Sequence, residues 1–487
     1  MNFKRTNLII SLMLAMFLAA VEGTIVTMAT PTIAKDLHGF EIISMVFSVY
    51  LLTSAISTPI YGKLADLYGR KNIFSIGIII FLVGSFLCGL SQSMAMLIIF
   101  RAVQGLGAGS IFTVSYTIIG DTFNIEERSK IQGGLNTVWG IASLVGPFLG
   151  GFLIDTLSWH WIFFINIPFG LLSIILLQRS LKETYEKKKH CIDYIGTITL
   201  SLAMIVFLSI FLFNQNSAFN HHVFTVIAAL ITGILLVIFY KLEKKAKEPM
   251  MPFDIFTRAS IIVNLISFLV YAILMGVNVY LPIFLQNIQG YRPITAGLAM
   301  MPMSVSWLIT SLILGKLLSR YGEKAVTVAS NVVLLISTLL LSTLGIDSHI
   351  LLVIIYGFII GIGFSGASTT LTIVIQDSVN YNKRGVAVAA NTLLRTLGQT
   401  IGISAFGNIF NLYITKYFIR QGIKGINPSN LYQSSASHTS LSAEQVKLSL
   451  NSSMHVLFIA FIFISCLSLV LSIVMPKIRG ENKVKEG

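Results

Sequence analysis

Gly62-Lys63-Leu64-Ala65-Asp66-Leu67-Tyr68-Gly69-Arg70-Lys71 stands between two apolar stretches, 42–61 and 73–91, each about as long as a bilayer is thick. Its glycines permit a tight turn between two helices. Asp66 is placed to accept charge-assisted hydrogen bonds from Arg70, from Arg128 or from a nearby helix N-terminus. The segment has an echo in Gly315-Lys316-Leu317-Leu318-Ser319-Arg320-Tyr321-Gly322, where Gly62-Lys63-Leu64 and Tyr68-Gly69 recur at one constant interval. A slightly longer interval carries Gly105 onto Gly361, Gly107 onto Gly363, Asp121 onto Asp377, Arg128 onto Arg384, Gly146 onto Gly402 and Gly151 onto Gly407. Glycine matches arise by chance in so biased a composition, but an Asp and an Arg recurring seven apart in both halves point to duplication. The echo has Ser319 where the first copy has Asp66, so any latch built on this acid is asymmetric.

The rest of the chain fits this frame. Of 487 residues 55% are hydrophobic and 11% charged, and the mean hydropathy is +0.82. That excludes an ordinary soluble domain and indicates an all-α polytopic membrane protein. Fourteen apolar stretches, from 8–30 to 453–475, have spanning length. They divide into an N-terminal bundle of six helices (1–183), two linker transmembrane helices (184–250) and a C-terminal bundle of six (251–487) with an external loop at 412–452. That loop is rich in Ser, Asn and Gln and reads as a flexible surface segment.

The net charge of +14 raises the question of nucleic acid, and its distribution answers it. With the N-terminus cytoplasmic, Lys35, Arg292, Lys416, Arg420, Lys424 and Lys447 fall outside and Arg101 and Arg395 within spans; every other Lys and Arg of the 34 is cytoplasmic. This bias orients the chain in a cell membrane with both termini in the cytoplasm, and the charge serves topology and anionic lipid. The apolar run after Lys4-Arg5 is too long for a signal peptide and lacks an A-x-A site. Three cysteines, Cys88, Cys191 and Cys466, make no disulfide framework, and eight scattered histidines make no metal site, so no cofactor is expected.

Glu22 lies inside the apolar run 8–30 and is the acid, of twenty, placed well within a span. An unpaired carboxylate there costs on the order of 2.5 kcal/mol or more, so it marks an ion pathway or a counter-ion unless it is only a hydrogen-bonded packing group. Arg101-Ala102-Val103-Gln104-Gly105-Leu106-Gly107-Ala108-Gly109 lies in the fourth span, with Arg101, Gly105 and Gly109 on one helix face. Counting down from the outer ends, Glu22 lies roughly 12 Å and Arg101 roughly 10 Å deep, so the two match in depth. A buried Arg needs a partner, and Glu22 is its best charged candidate in the first half; snorkelling to the outer surface is the competing reading. In the fifth span Ala142, Gly146 and Gly150 form a small-residue stripe, and Pro147 beside them favours a bend.

These motifs resemble those of the major facilitator superfamily. Gly62 to Lys71 matches its signature gating loop, with Leu67 in place of the usual Arg, and the Arg101 pattern resembles its proton-coupling motif. Gly146-Pro147-Phe148-Leu149-Gly150-Gly151 resembles the antiporter motif of its drug exporters. Glu22-Gly23-Thr24-Ile25-Val26 to Pro31, with Glu where Asp is usual, and Trp159-His160-Trp161 to Asn166-Ile167-Pro168-Phe169-Gly170 are similar to the 14-span drug/proton antiporter family. The resemblance covers nearly the whole chain. It implies a major facilitator fold, with Glu22 and Arg101 coupling protons and Gly62, Asp66, Gly69, Arg70 and Arg128 gating. It also implies efflux of amphipathic, cationic antimicrobial drugs and dyes, of the quaternary-ammonium and dye-exporter type, by proton antiport with alternating access.

A duplicated chain with a midplane site is the common plan of secondary transporters. Glu22, Asn136, Trp139, Tyr271, Asn278, Trp307, Asn391 and Arg395 stand ready to line a cavity. Arg395 serves an anionic group, balances a carboxylate, or is a structural charge on carbonyls; Asp36 and Asp155 read as solvated edge charges. A dedicated exporter of one tetracycline-metal complex, siderophore or lipid is the nearest alternative. An enzyme or a sensor is disfavoured, because no nucleophile–base set, metal cluster or phosphate loop appears, and the missing G-x-x-x-x-G-K-[ST] argues against ATP-driven pumping.

Overall fold

Every described element of the chain is a helix, as lipid requires of a backbone that must satisfy its own N–H and C=O groups. The computed structural model describes residues 3–123, 125–181, 194–212, 221–245, 255–379, 384–423, 428, 431 and 442–476. The side chains of Asp66, Arg128, Asn136 and Trp139 lie outside the described residues, as do Cys191 and most of 424–441.

The chain divides into two units, Met1–Met250 and Met251–Gly487. The first holds α1 (Phe3–Asp36), α2 (Ile43–Tyr68), α3 (Arg70–Gly89), α4 (Met94–Thr122), α5 (Ile125–Thr156), the single turn α6 (Trp161–Phe164), α7 (Asn166–Ser180), α8 (Tyr194–Leu212) and α9 (His221–Lys245). The second holds α10 (Arg258–Ile283), α11 (Pro293–Tyr321), α12 (Glu323–Leu341), α13 (Ile350–Asp377), α14 (Arg384–Arg420) and α15 (Ala443–Val474).

Each unit has the same packing plan. In the first, α2 and α3 lie on α4, α1 lies on α5 and α7, and α3 touches α7. In the second, α11 and α12 lie on α13, α10 lies on α14 and α15, and α12 touches α15. α8 and α9 pair chiefly with each other, and α8 also touches α2. The repeated glycines explain the shared plan. A Cβ on Gly105 would strike Thr53 and the Tyr50 carbonyl, and one on Gly361 would strike Ser306 and the Met303 carbonyl. Gly107 faces Gly77 and Phe81 of α3, as Gly363 faces Ser330 and Leu334 of α12. Small residues let two helix backbones approach closely where lipid offers no hydrophobic drive between them.

The turn expected over Gly62–Gly69 is concentrated at Gly69. α2 stays helical through Gly62 to Tyr68, because Ala65 and Leu64 still pack in the core of the unit. The chain then reverses at Gly69 with φ +90°, and at the equivalent Gly322 with φ +80°. Only a residue without a Cβ takes up that backbone freely.

Two other expected bounds move. α1 runs past Thr30 to Asp36, because Ile33 and Ala34 continue its buried face. The expected loop 412–452 loses both its ends to helices. α14 continues to Arg420, carried by the buried pair Ile414 and Phe418 one turn apart, and α15 starts at Ala443 on a capping box of Ser442 and Gln445.

Among the described residues eleven helices are long and apolar enough to cross a membrane, and the chain is a multi-pass membrane protein. Shorter apolar helical stretches lie at Gly140–Thr156 and Ile198–Phe207. Of the most apolar window of α9 only 17% is buried, against 72% for α10, so α9 offers its sides to lipid while α10 is a core helix. In the second unit, Leu312 and Phe463 are exposed apolar side chains of the same kind.

Gly105→Val and Gly361→Val are each expected to lower the thermal midpoint of detergent-purified protein, by the equivalent of about 1–3 kcal/mol or more. Gly233→Val, where an added Cβ meets nothing within 4 Å, should leave it unchanged. Equal midpoints for all three would show that these contacts do not hold the helices.

Candidate functional site

Glu22 is fully buried in the first unit, and it is not alone there. α4 brings Arg101, 1% exposed, to it, and Nη1 of Arg101 donates to Oε1 of Glu22 at 2.5 Å. The same nitrogen donates to Oε1 of Gln104 at 2.7 Å, one turn on, and Nε donates to the Val46 carbonyl of α2 at 3.1 Å. The guanidinium carbon stands 4.1 Å from the centre of the Tyr50 ring, a cation–π contact from the same helix. Arg101 therefore does not snorkel.

The second carboxylate oxygen belongs to α7. Asn166 Nδ2 donates to Oε2 of Glu22 at 2.7 Å and to Ser85 Oγ at 2.8 Å. Ser85 on α3 also accepts from Gln104 Nε2 at 3.0 Å and donates its own proton to the Phe163 carbonyl at 3.0 Å. Both oxygens of Glu22 thus have donors, and the donors have partners. The Tyr50 hydroxyl, buried beside them, has no hydrogen-bond partner among the described residues. Helices α1, α2, α3, α4 and α7 all contribute a group. The break between α6 and α7 at Ile165 puts Asn166 at the first position of α7, where its side chain turns inward.

The fifth-span stripe closes on α1 immediately beside Glu22. A Cβ on Gly146 would strike Thr24, and one on Gly150 would meet the Ile25 carbonyl at 2.9 Å and Met28 at 3.0 Å. Thr24 Oγ1 lies 3.0 Å from the Val21 carbonyl and 3.4 Å from that of Ala142, on α5. Pro147 and Gly151 are buried in the same helix.

The remaining candidates are distributed as follows. Arg70 Nη1 donates to the Thr117 carbonyl of α4 at 3.4 Å, and Lys71 Nζ to the Gln178 carbonyl of α7 at 2.8 Å, so the start of α3 is tied to both neighbours. In the second unit Asn391 is buried and donates to Asn264 Oδ1 at 2.8 Å and Ser267 Oγ at 3.0 Å. That places it in the seam between α10 and α14 and not on an open wall. Arg395 reaches Tyr271 of α10 and Thr372 of α13, and Trp307 meets Phe364 edge-on at 4.6 Å.

Asp36 is not a plain solvated edge charge: Trp159 Nε1 donates to its Oδ2 at 2.7 Å. It stands fourteen residues, roughly 21 Å of helix, from Glu22 and takes no part in that network. His160 stacks on Trp159 with ring centres 3.7 Å apart. Its partial burial holds the imidazole below its ordinary pKa, against the pull of the Asp36 carboxylate. A groove of about 670 Å³ lined by Ile60, Tyr61, Leu64, Ile73, Ile76 and Ile80 is apolar, and none of the Glu22 network lines it.

Asn166, Gln104 and Ser85 are site residues that the sequence reading did not single out. Asn166 and Gln104 stand inside motifs quoted for other reasons, and an amide in an apolar span was the available signal. Ser85 carries none, because serine is common in membrane helices.

A family model described as the Major Facilitator Superfamily matches residues 12–403. The chain is 36% identical over 411 residues to the multidrug transporter protein MdtP of Bacillus subtilis, covering 84% of this chain and 76% of that protein. It is 32% identical over 435 residues to the multidrug efflux pump SdrM of Staphylococcus aureus, covering 88% and 94%. Among solved structures, a bacterial homologue of the human lysosomal transporter Spinster superposes with a TM-score of 0.71 at 15% identity, covering 98% of this chain and 99% of that one. The POT family transporter PepTSo superposes with a TM-score of 0.68 at 14% identity, over the full length of both chains. At these identities the structures speak for the fold alone.

Removing one member of a buried ion pair strands the other, at a cost of about 3–5 kcal/mol. Arg101→Met is therefore expected to lower the thermal midpoint strongly, Glu22→Gln less, and the double variant by less than the sum of the two. Strictly additive losses would mean that the two side chains are not coupled.

Proposed function

The chain belongs to the major facilitator superfamily and is a transporter, not an enzyme, and from that premise we propose that it is a proton-coupled antiporter exporting amphipathic, cationic antimicrobial drugs and dyes from the cytoplasm. Fourteen spans carry it through the plasma membrane with both termini in the cytoplasm, and α8 and α9 are the two linker spans between the repeated bundles. The names of the relatives, a multidrug transporter and a multidrug efflux pump, support drugs as the substrates.

The observation that carries the coupling is the placement of Glu22. Its carboxylate is fully buried in a membrane helix and held between one cation, Arg101, and one amide, Asn166. Protonation would remove the charge that makes the Arg101 bond strong. Adding a proton therefore loosens α1 from α4, and losing it draws them together. A proton taken at the outer face and released at the inner one links this local change to the exchange of access. A cationic drug that approaches the carboxylate competes with the proton for the same group, which gives antiport its obligatory order. The gating loop at Gly62, Asp66, Gly69, Arg70 and Arg128 latches one state. The stripe of Ala142, Gly146 and Gly150 with Pro147 gives α1 a smooth surface to move on.

Glu22→Gln reconstituted in proteoliposomes should reach the membrane and lose proton-driven efflux of a cationic dye to the level of empty vesicles. Glu22→Asp should keep exchange at a reduced rate, because the acid remains while the arm shortens by one methylene. Undiminished exchange by Glu22→Gln would defeat the reading.

A further inference from the structure

Arg395 is a second guanidinium held inside a helix bundle, eleven residues and roughly 17 Å along α14 from Arg384. Its surroundings differ from those of Arg101 in one decisive way. Arg101 meets a carboxylate, whereas Arg395 meets only neutral acceptors among the described residues. Nη1 donates to the Tyr271 hydroxyl at 3.2 Å, and Nη2 donates to the Ser368 carbonyl at 3.2 Å and to Thr372 Oγ1 at 2.7 Å. Nε is buried and has no acceptor among the described residues. The guanidinium carbon lies 4.9 Å from the centre of the Tyr271 ring.

A whole positive charge held inside the bundle by hydroxyls and a carbonyl is incompletely neutralised. Arg395 is also only half-buried, and a charged guanidinium is not left facing an apolar medium without a polar partner, so its open side faces water. Of the two hydroxyls, one has the same need. Thr372 gives its proton to the Ser368 carbonyl at 2.8 Å, while Tyr271 accepts from Arg395 and has no acceptor for its own proton among the described residues. The group that completes this cluster is therefore an anionic acceptor.

The shape beside the cluster says what carries the anion. The Tyr271 ring packs edge-on to Phe364 with centres 5.2 Å apart, and Phe364 packs edge-on to Trp307. Trp307 is anchored through its carbonyl, which accepts from Ser365 Oγ at 2.8 Å, and it is half-buried. Phe364 itself is fully buried, so the aromatic surface beside the cation is that of the half-buried Tyr271 and Trp307, and it matches an aromatic acid better than a bare halide.

We propose that Arg395 and Tyr271 bind the carboxylate of an aromatic substrate whose ring packs against the half-buried Tyr271 and Trp307. This rests on the reading of the chain as a drug exporter and extends its substrates from cations to molecules that carry an acid. All the residues of the site belong to the second unit.

The test is a titration of the full-length, detergent-purified protein with 2-naphthoate, followed by calorimetry, with 2-naphthamide and sodium chloride as comparison ligands. 2-Naphthoate should bind saturably, and Arg395→Gln should weaken it by about tenfold or more, the worth of a hydrogen bond to a charged group. Arg395→Lys should fall between the two, because it keeps the charge and loses the planar fork. Tyr271→Phe keeps the ring and the charge, so it tests the site without disturbing the helix, and it should weaken binding several-fold. Equal affinity for Arg395→Gln and the unaltered chain would overturn the proposal. So would 2-naphthamide binding as tightly as 2-naphthoate, or sodium chloride displacing 2-naphthoate at equal concentration. The titration involves no proton gradient and no turnover. A chain that fails as an exporter can still bind 2-naphthoate, and one that exports cations can still fail to.

Discussion

A carboxylate and a guanidinium shielded from water inside a membrane helix bundle are the constraint on which the first unit depends. Neither Glu22 nor Arg101 is tolerable alone at that depth, and together they remain costly unless their other lone pairs and protons are filled. Filling them takes groups from α2, α3 and α7, so the chemistry of one pair sets the approach of five helices. The glycines make that approach possible. Gly84 of α3 lies against the backbone of Gln104, Gly105 of α4 against Tyr50, and Gly146 of α5 against Thr24. A side chain at any of these places would push apart the groups that satisfy the pair.

The two halves share a scaffold and diverge in chemistry. Gly69 and Gly322 make the same left-handed turn, and Gly105 and Gly361 the same close crossing. On that common frame the first half places an acid with its cation. The second places a cation among hydroxyls and aromatic rings. Duplication thus supplied two similar supports, and the polar residues added to each give the chain two different electrostatic environments. Asp66 and its counterpart Ser319 diverge in the same way.

Much of this was legible in the residues. Hydropathy and length identify membrane helices because lipid penalises every unsatisfied backbone group. The Gly62 motif and its echo identify the duplication, and depth counting pairs Glu22 with Arg101. The pairing holds although the count does not, since α1 runs on to Asp36 and puts Glu22 roughly 21 Å from its end; packing, not distance from a helix end, brings the two together. Asn166 was visible only as a letter in a motif. Its reach to Glu22 depends on the break at Ile165, which no periodicity announces. Asn391 and Asp36 went the other way, since each found a partner, Asn264 or Trp159, on a distant helix or loop.

The sequence by itself therefore determined the class of molecule, its repeat and the existence of a charged pair, because those follow from transfer free energies and chain spacing that every residue carries with it. Only the tertiary structure decided which amides and hydroxyls complete each charge. That choice depends on the rotation and axial shift of one helix against another. A displacement of one residue, 1.5 Å along a helix and 100° around it, replaces every partner a side chain can reach.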